Sequence, residues 1–79
     1  MVDLIVKVIE NSTGKPLKGK RISVSNEEFF TLGSTETKST DSNGISQFSV
    51  AHVSFKGNIK VNDKKVFEGK IMASNTVYL

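Results

Sequence analysis

Residues 40–50, with the sequence TDSNGISQFSV, predict a tight turn that opens into a strand. Asp41 and Asn43 have short side chains that can hydrogen-bond to their own backbone, and Gly44 can adopt a positive φ at no steric cost. The residues after the turn alternate between two faces, which is the period of a half-buried strand. One face carries Ser46, Phe48 and Val50, and the other carries Ile45, Gln47 and Ser49. We therefore expect the rest of the chain to lead into and out of this strand.

The composition indicates one small globular domain spanning residues 1–79. A chain of this mass buries roughly three-fifths of the surface that its unfolded form exposes, which supports one core but no deep cleft between domains. It is 37% hydrophobic and 24% charged, with a formal net charge of +3 and no cysteine. Stability must therefore come from packing and strand pairing, without disulfides or thiolate metal sites.

The first residues do not have the pattern of a signal peptide. Asp3 stands where a basic region is expected, and Lys7 and Glu10 interrupt any apolar region. We therefore expect a cytoplasmic protein if Met1 is the native start. If the chain is a domain excised from a larger exported protein, an extracellular or cell-surface location is expected instead.

Alternation with a period of two recurs along the chain and predicts an all-β fold. Residues 29–32 are open to two interpretations, a short strand or a helical turn that begins at Asn26. Gly57 interrupts an apolar face over 53–61 and predicts a bend or bulge. Turns are expected at 62–65 and 74–75. The other predicted strands are 2–9, 20–25, an exposed edge strand at 34–40, 45–50, 65–71 and 76–79.

Six to eight short strands separated by turns are typical of a small antiparallel β-sandwich or barrel. We predict a sandwich of about seven strands whose core comprises Leu4, Val6, Val8, Ile22, Val24, Phe48, Val50, Phe55, Ile59, Val61 and Phe67.

Several of these turn and strand residues resemble a known family. The segments TGKPLKG (13–19), ISV (22–24), TDSNG (40–44) and FSV (48–50) are similar to the TG-x-P-L-x-G, V-x-V and TD-x-NG-x-F motifs of carboxypeptidase regulatory-like domains. Those domains are transthyretin-like seven-stranded sandwiches, and bacterial Ig-like modules share much of the pattern. The resemblance covers residue 2 to about residue 50. AHVSF (51–55) departs from the family's frequent Pro-Gly-Thr-Tyr-like segment. The resemblance implies a fold and a non-catalytic accessory role, without a site.

No catalytic residues are predicted. His52 is the only histidine and the only candidate base for a small hydrolase, but no Gly-x-Ser-x-Gly elbow accompanies it, so a histidine at the surface or at a strand end is favoured. Glu27 and Glu28 are adjacent, and on a strand they would point to opposite faces. A glycosidase pair is therefore not expected.

No metal or cofactor site is predicted either. Asp41 and Asn43 form a fragment of a calcium loop, but the later ligands and the bidentate glutamate are missing, and the same residues suit an ordinary turn. Asn11, Ser12 and Thr13 match the N-glycosylation pattern. Without an export signal, this match is interpreted as turn chemistry.

Two lysine-rich regions make nucleic-acid binding the alternative function. Phosphate neutralisation needs clustered basic groups, and single-strand binding adds exposed aromatic rings. If the protein binds nucleic acid, the two regions should converge on one face. Acidic residues are interspersed with the lysines, so a solvated surface is favoured. The candidates are Lys15, Lys18, Lys20 and Arg21, then Lys56, Lys60, Lys64, Lys65 and Lys70, with Phe29, Phe30 and Tyr78 as the aromatic residues.

The remaining candidate is protein recognition through the edges of the sheets. An extended partner, or a second copy in a homodimer, could add a strand to the 34–40 edge or to the C-terminal strand. A protected edge is the competing interpretation. We therefore expect a non-catalytic module with a structural or protein-interaction role.

Overall fold

A computed structural model describes residues 2–27, 35–51 and 53–79 of the chain. These residues form seven strands in two sheets, so the predicted all-β fold of about seven strands is confirmed. None of the described segments is a helix long and apolar enough to cross a membrane. The strands are β1 (Val2–Ile9), β2 (Arg21–Asn26), β3 (Lys38–Ser39), β4 (Ile45–Val50), β5 (Phe55–Val61), β6 (Lys64–Ile71) and β7 (Ser74–Tyr78).

One sheet has three strands in the order β4-β1-β7, and the other has four in the order β3-β2-β5-β6. All neighbours are antiparallel except β1 and β7, which are parallel, with Ile5 beside Ser74 and Ile9 beside Tyr78. The sandwich is therefore antiparallel, as predicted, except at this pair. The strand order also differs from that of immunoglobulin constant domains, in which the first and second strands share a sheet.

The core lies between the two sheets and comes from the inward-facing residues of both. Nine of the eleven residues predicted for the core are buried, which follows from the two-residue period of the strands. Ile71 and Val77 complete the core, although the prediction did not include them. The buried hydrophobic residues are Leu4, Val6, Val8, Ile22, Val24, Phe48, Phe55, Ile59, Val61, Ile71 and Val77.

The prediction is wrong for Phe67, which is 37% exposed, and Val50 is only partly buried against the core. The register of β5 and β6 shifts between Ile59 and Lys60, so β6 has one residue more than its partner there. Val66 consequently packs against the core as well. Phe67 lies on the inner face, opposite Ile59, but on an edge strand that the narrower sheet does not fully cover.

The turn predicted at 41–44 is confirmed. Asp41 Oδ1 accepts hydrogen bonds from Asn43 N at 2.8 Å and Ile45 N at 3.0 Å. Gly44 has a φ of +74°, and a β-carbon at this position would lie 2.6 Å from Val8 O. The neighbouring Thr40 is buried, and its hydroxyl donates to Leu17 O at 2.6 Å. The turn is thereby fixed against the loop between β1 and β2.

The turn between β5 and β6 has two residues, Asn62 at φ 51° and Asp63 at φ 68°. Two positive φ values are the signature of a type I′ hairpin turn, whose twist matches that of the strands. The predicted hairpin is therefore confirmed. The bend or bulge predicted at Gly57 is wrong, because the register shift lies between Ile59 and Lys60. Gly57 pairs regularly with Asn26 and Gly69, and a β-carbon there would collide with Ser25 O.

Two further predictions concern the chain between β2 and β3. The edge strand predicted over 34–40 is shorter than expected: Lys38 and Ser39 form β3, and Thr35 bonds to β2 separately, with Thr35 N donating to Val24 O at 2.8 Å. The short strand or helical turn predicted at 29–32 lies outside the described residues, as does Ser34.

Candidate strand-binding edge

The backbone of β7 bonds to β1 on one side only. Ile5 N donates to Ala73 O at 2.8 Å, and Leu79 N donates to Ile9 O at 2.9 Å. In a parallel pair this spacing directs the N–H and C=O groups of alternate residues, here Asn75, Val77 and Leu79, toward β1. The N–H and C=O groups of Ser74, Thr76 and Tyr78 therefore point away from the sheet. We call these six groups the open edge, and no described residue forms a backbone hydrogen bond with them.

The opposite edge of the same sheet, β4, is partly capped, at Ile45 and at the carbonyl of Gln47. Its outward-directed backbone groups belong to the odd-numbered residues, because Val8 N bonds to Gly44 O on the β1 side. Asp41 hydrogen-bonds both backbone groups of Ile45: Asp41 N donates to Ile45 O, and Asp41 Oδ1 accepts from Ile45 N. Lys38 Nζ donates to Gln47 O at 3.1 Å. A further strand would have to displace these contacts.

Lys38 also closes the sandwich on this side. Its Nζ lies 5.6 Å from the centre of the Phe48 ring and 3.4 Å from Glu36 Oε1. Its carbonyl accepts a hydrogen bond from Ser46 Oγ at 3.3 Å, which joins β3 to β4. β3 is an edge strand of only two residues and is therefore a poor template for pairing.

The outward edge of β6 is protected by charge and by its bulge. Lys65 Nζ lies 2.7 Å from Glu68 Oε2 on the exposed side of this strand, and Lys70 follows two residues later. Charged side chains and bulges are the usual means of preventing edge-to-edge pairing. Of the four edge strands, β7 is therefore the one that has neither a charged residue nor a side-chain cap among its described contacts.

The stabilisation from the ion pair between Lys65 and Glu68 on β6 depends on pH. The hydrogen bond between Lys65 and Glu68, with their Coulomb attraction, raises the pKa of Lys65 and lowers the pKa of Glu68. The pair therefore stabilises the fold between the ordinary pKa values of 4.5 and 10.5. This contribution is lost as the pH falls through the lowered glutamate pKa or rises through the raised lysine pKa. The charges on β6 are thus present throughout the physiological range.

The start of β7 is held rigidly by one side chain. Asn75 Oδ1 accepts a hydrogen bond from Met72 N at 2.9 Å, and its Nδ2 donates to Met72 O at 2.8 Å and Ile5 O at 3.1 Å. These bonds fix the turn after β6 and bind it to β1. The first residues of β7 are therefore fixed in an extended conformation beside β1.

Part of the inward face of β6 is exposed beside the end of β7. The four-stranded sheet is one strand wider than the three-stranded sheet, and Phe67 on its edge strand β6 is 37% exposed. Val66 of β6 and Leu79, which follows β7, line the same surface depression. The ring of Phe67 extends along β6 toward Gly69. A β-carbon added at Gly69 would lie 3.3 Å from Phe67 Cζ. We define the groove as the open edge with Val66, Phe67 and Gly69 as its floor.

Asp41 and Asn43, the candidate calcium ligands, form the turn described above. One oxygen of Asp41 is already bonded to two backbone amides. The described residues contain no group of three or more histidine, cysteine, aspartate or glutamate side chains that could hold a metal ion. The turn interpretation therefore accounts for both residues.

The candidate glycosylation site lies in a hydrogen-bonded turn after β1. Thr13 Oγ1 donates to Glu10 Oε1 at 2.7 Å, and Gly14 N donates to Glu10 O at 2.8 Å. Asn11 N bonds to Leu79 O at 2.8 Å, which ties this turn to the C-terminal end of the described chain. These residues have the turn role that their sequence predicted.

The catalytic candidates are only partly described. Glu27 Oε1 accepts a hydrogen bond at 2.9 Å from Nδ2 of Asn58, which is buried on β5. The carboxylate of Glu27 therefore forms a structural hydrogen bond to β5. His52 and Glu28 lie outside the described residues, as do Phe29 and Phe30.

The two lysine-rich regions meet only in part. Arg21 lies on the outer face of the four-stranded sheet, where β5 and β6 place two lysine pairs directly opposite each other, Lys56 with Lys70 and Lys60 with Lys65. Its guanidinium lies 3.6 Å from Asp63. The other basic residues of the first region precede β2, and Lys15 and Lys18 lie in the loop that bonds back to β1 through Leu17 N and Val8 O. Five of the nine basic candidates therefore share the outer face of the four-stranded sheet, whereas three precede β2 and Lys64 lies on the inner face.

The predicted C-terminal strand is a sheet edge, but it runs from Ser74 to Tyr78, so the turn predicted at 74–75 is wrong. Tyr78 is 63% exposed on its outer side. The groove floor was not predicted, because Phe67 was assigned to the core. A signal was available at Gly69, a glycine inside a predicted strand, which often marks a place where another chain or ring approaches closely.

Comparison of the chain with protein-family models, with curated proteins and with solved structures found no match.

Proposed function

We propose that this protein is a non-catalytic protein-interaction module that accepts an extended segment of another polypeptide as an additional strand beside β7. The observation that carries the proposal is the open edge, whose six backbone groups have no partner among the described residues. Main-chain hydrogen bonds supply affinity in this mode of recognition, and side-chain contacts at alternate positions supply specificity.

The contrast among the edges supports this role. Exposed strand edges are templates for aggregation, and proteins usually protect them with charge, bulges or covering side chains. β4 and β6 have such protection, whereas β7 has the uncharged sequence SNTVY. Of the edge strands, β7 therefore has the least protection among the described residues, which supports a role in binding.

The resemblance to carboxypeptidase regulatory-like domains remains part of the proposal. Its motif residues have turn and core roles in this fold, including the positive φ at Gly44 and the packing of Leu17 against the core. Seven strands in two sheets also agree with a transthyretin-like sandwich. These features support an accessory, non-catalytic role.

A capped peptide of alternating threonine and valine, longer than β7, tests the proposal. We expect its addition to isotope-labelled protein to shift the NMR signals of residues 74–78 and of Phe67. Thr76→Pro should abolish these shifts, because proline removes an N–H of the open edge that the fold does not use. Ser49→Pro removes the matching outward N–H of β4 and should leave binding unchanged.

Shifts that map away from β7, equal binding by both variants, or no binding by the wild type would each contradict strand addition. If Thr76→Pro does not fold, amide hydrogen exchange of the wild type decides the question. The amides of Thr76 and Tyr78 should become protected when the peptide is added, and unchanged exchange would overturn the proposal.

A further inference from the structure

The groove has an apolar floor and a cation at one end. Val66 and Phe67 form the floor, and Lys64 lies opposite Val61 on the same inner face at the start of β6. Leu79, which follows β7, is 39% exposed and lies on the other side of this end of the groove. The groove therefore carries a positive charge at one end and apolar side chains along its floor.

Both acidic residues of this hairpin form ion pairs with residues other than Lys64. Asp63 lies 3.6 Å from Arg21, and Glu68 lies 2.7 Å from Lys65. Lys64 forms no ion pair with any residue in the ranges 2–27, 35–51 and 53–79. Lys64 thus places a positive charge at the groove that no acidic residue of its own hairpin neutralises.

An open surface depression lies at this end of the groove. Its apolar lining comes from Val61, Val66 and Leu79, and its polar lining comes from Asn62 and Lys64. The ammonium group of Lys64 therefore lies beside apolar surface.

We infer that the partner strand is amphipathic and acidic at one end, with apolar residues at alternate positions facing Val66 and Phe67 and a glutamate or aspartate side chain beside Lys64. This inference rests on the proposed strand addition. An antiparallel strand, the more stable arrangement, places its N-terminal end next to Lys64, because β7 runs toward that end of the groove. The acidic residue is accordingly expected at the N-terminal end.

A second copy of this chain fits the groove poorly. Each chain has a net charge of +3, so two copies that meet at this edge would repel each other. Repulsion between like charges therefore favours a strand from a different, acidic polypeptide.

Three peptides with the same alternating threonine and valine sequence test the inference, carrying glutamate, glutamine or lysine at the N-terminal end. We expect the glutamate peptide to bind on the order of twofold to fivefold more tightly than the glutamine peptide at low salt, and the lysine peptide more weakly. Lys64→Glu should reverse this order. Lys70→Glu, on the outer face, is the matched control and should preserve it. High salt should reduce the differences.

The outcomes separate this inference from the proposed function. If all three peptides bind at β7 with equal affinity, the proposed strand addition is supported and the inference that the partner is acidic is wrong. If a peptide with every valine replaced by threonine binds equally well, the apolar face is wrong. If sedimentation shows a dimer that Thr76→Pro dissociates, the occupant is a second copy, and the inference about the partner is overturned. If no peptide binds, both proposals fail.

Discussion

Gly44 occupies a position that admits no other residue without strain. Its φ is +74°, and Val8 O and the Pro16 side chain lie within 2.9 Å of where a β-carbon would be. Gly14 has nearly the same φ of +73°, but nothing lies within 4 Å of its β-carbon position. The two glycines therefore separate the cost of backbone conformation from the cost of a collision.

We predict that Gly14→Ala lowers the free energy of unfolding by about 1 kcal/mol, the usual cost of alanine at a positive φ. Gly44→Ala should cost at least about 2 kcal/mol, because the collision with backbone adds to the same strain. Urea unfolding measures both values if the slope of each transition is unchanged. Equal losses for the two variants would show that the packing around Gly44 is wrong.

The same turn shows which features are predictable from sequence. Asp41, Asn43 and Gly44 specify their conformation through hydrogen bonds and sterics within a few residues, so their roles follow from local chemistry. Thr40 is different. Its hydroxyl bonds to Leu17 O, 23 residues away, and this contact depends on how the loop between β1 and β2 folds back. A local pattern cannot supply that information.

At the level of elements, the alternation of β1, β2, β4 and β5 was enough to place their inward residues correctly. It failed in β6, because the extra residue opposite Ile59 and Lys60 disturbs the period and Val66 also turns toward the core. The parallel pairing of β7 with β1 was not predicted either, since the direction of a strand pair depends on the whole topology. The candidate site lies at the elements where alternation is least informative.

Phe48 and Phe67 provide a test at this level, because both are phenylalanines on inward faces of strands. Phe48 is 2% exposed and Phe67 is 37% exposed. We predict that Phe48→Ala lowers the free energy of unfolding by about 3–5 kcal/mol. Phe67→Ala should cost less than about 2 kcal/mol, because part of its ring already contacts water. Denaturant unfolding of each variant would contradict this account if Phe67→Ala cost as much as Phe48→Ala.

At the level of the whole molecule, the two sheets differ in width, and this difference produces the groove. Three strands cannot fully cover four, so the last strand of the wider sheet keeps part of its inner face exposed. An added strand beside β7 would give four strands in each sheet and would cover Val66 and Phe67. An added strand would therefore hydrogen-bond to the open edge of β7 and bury the apolar surface of β6 at the same time.

Amide hydrogen exchange along β7, followed by NMR on dilute protein, tests the open edge most directly. The amides of Asn75 and Val77 bond to β1 and should exchange slowly, whereas those of Ser74, Thr76 and Tyr78 should exchange at nearly unprotected rates. This alternation is the predicted result. If the amide of Thr76 is as strongly protected as that of Val77 without a partner, the edge is already covered and the account is contradicted.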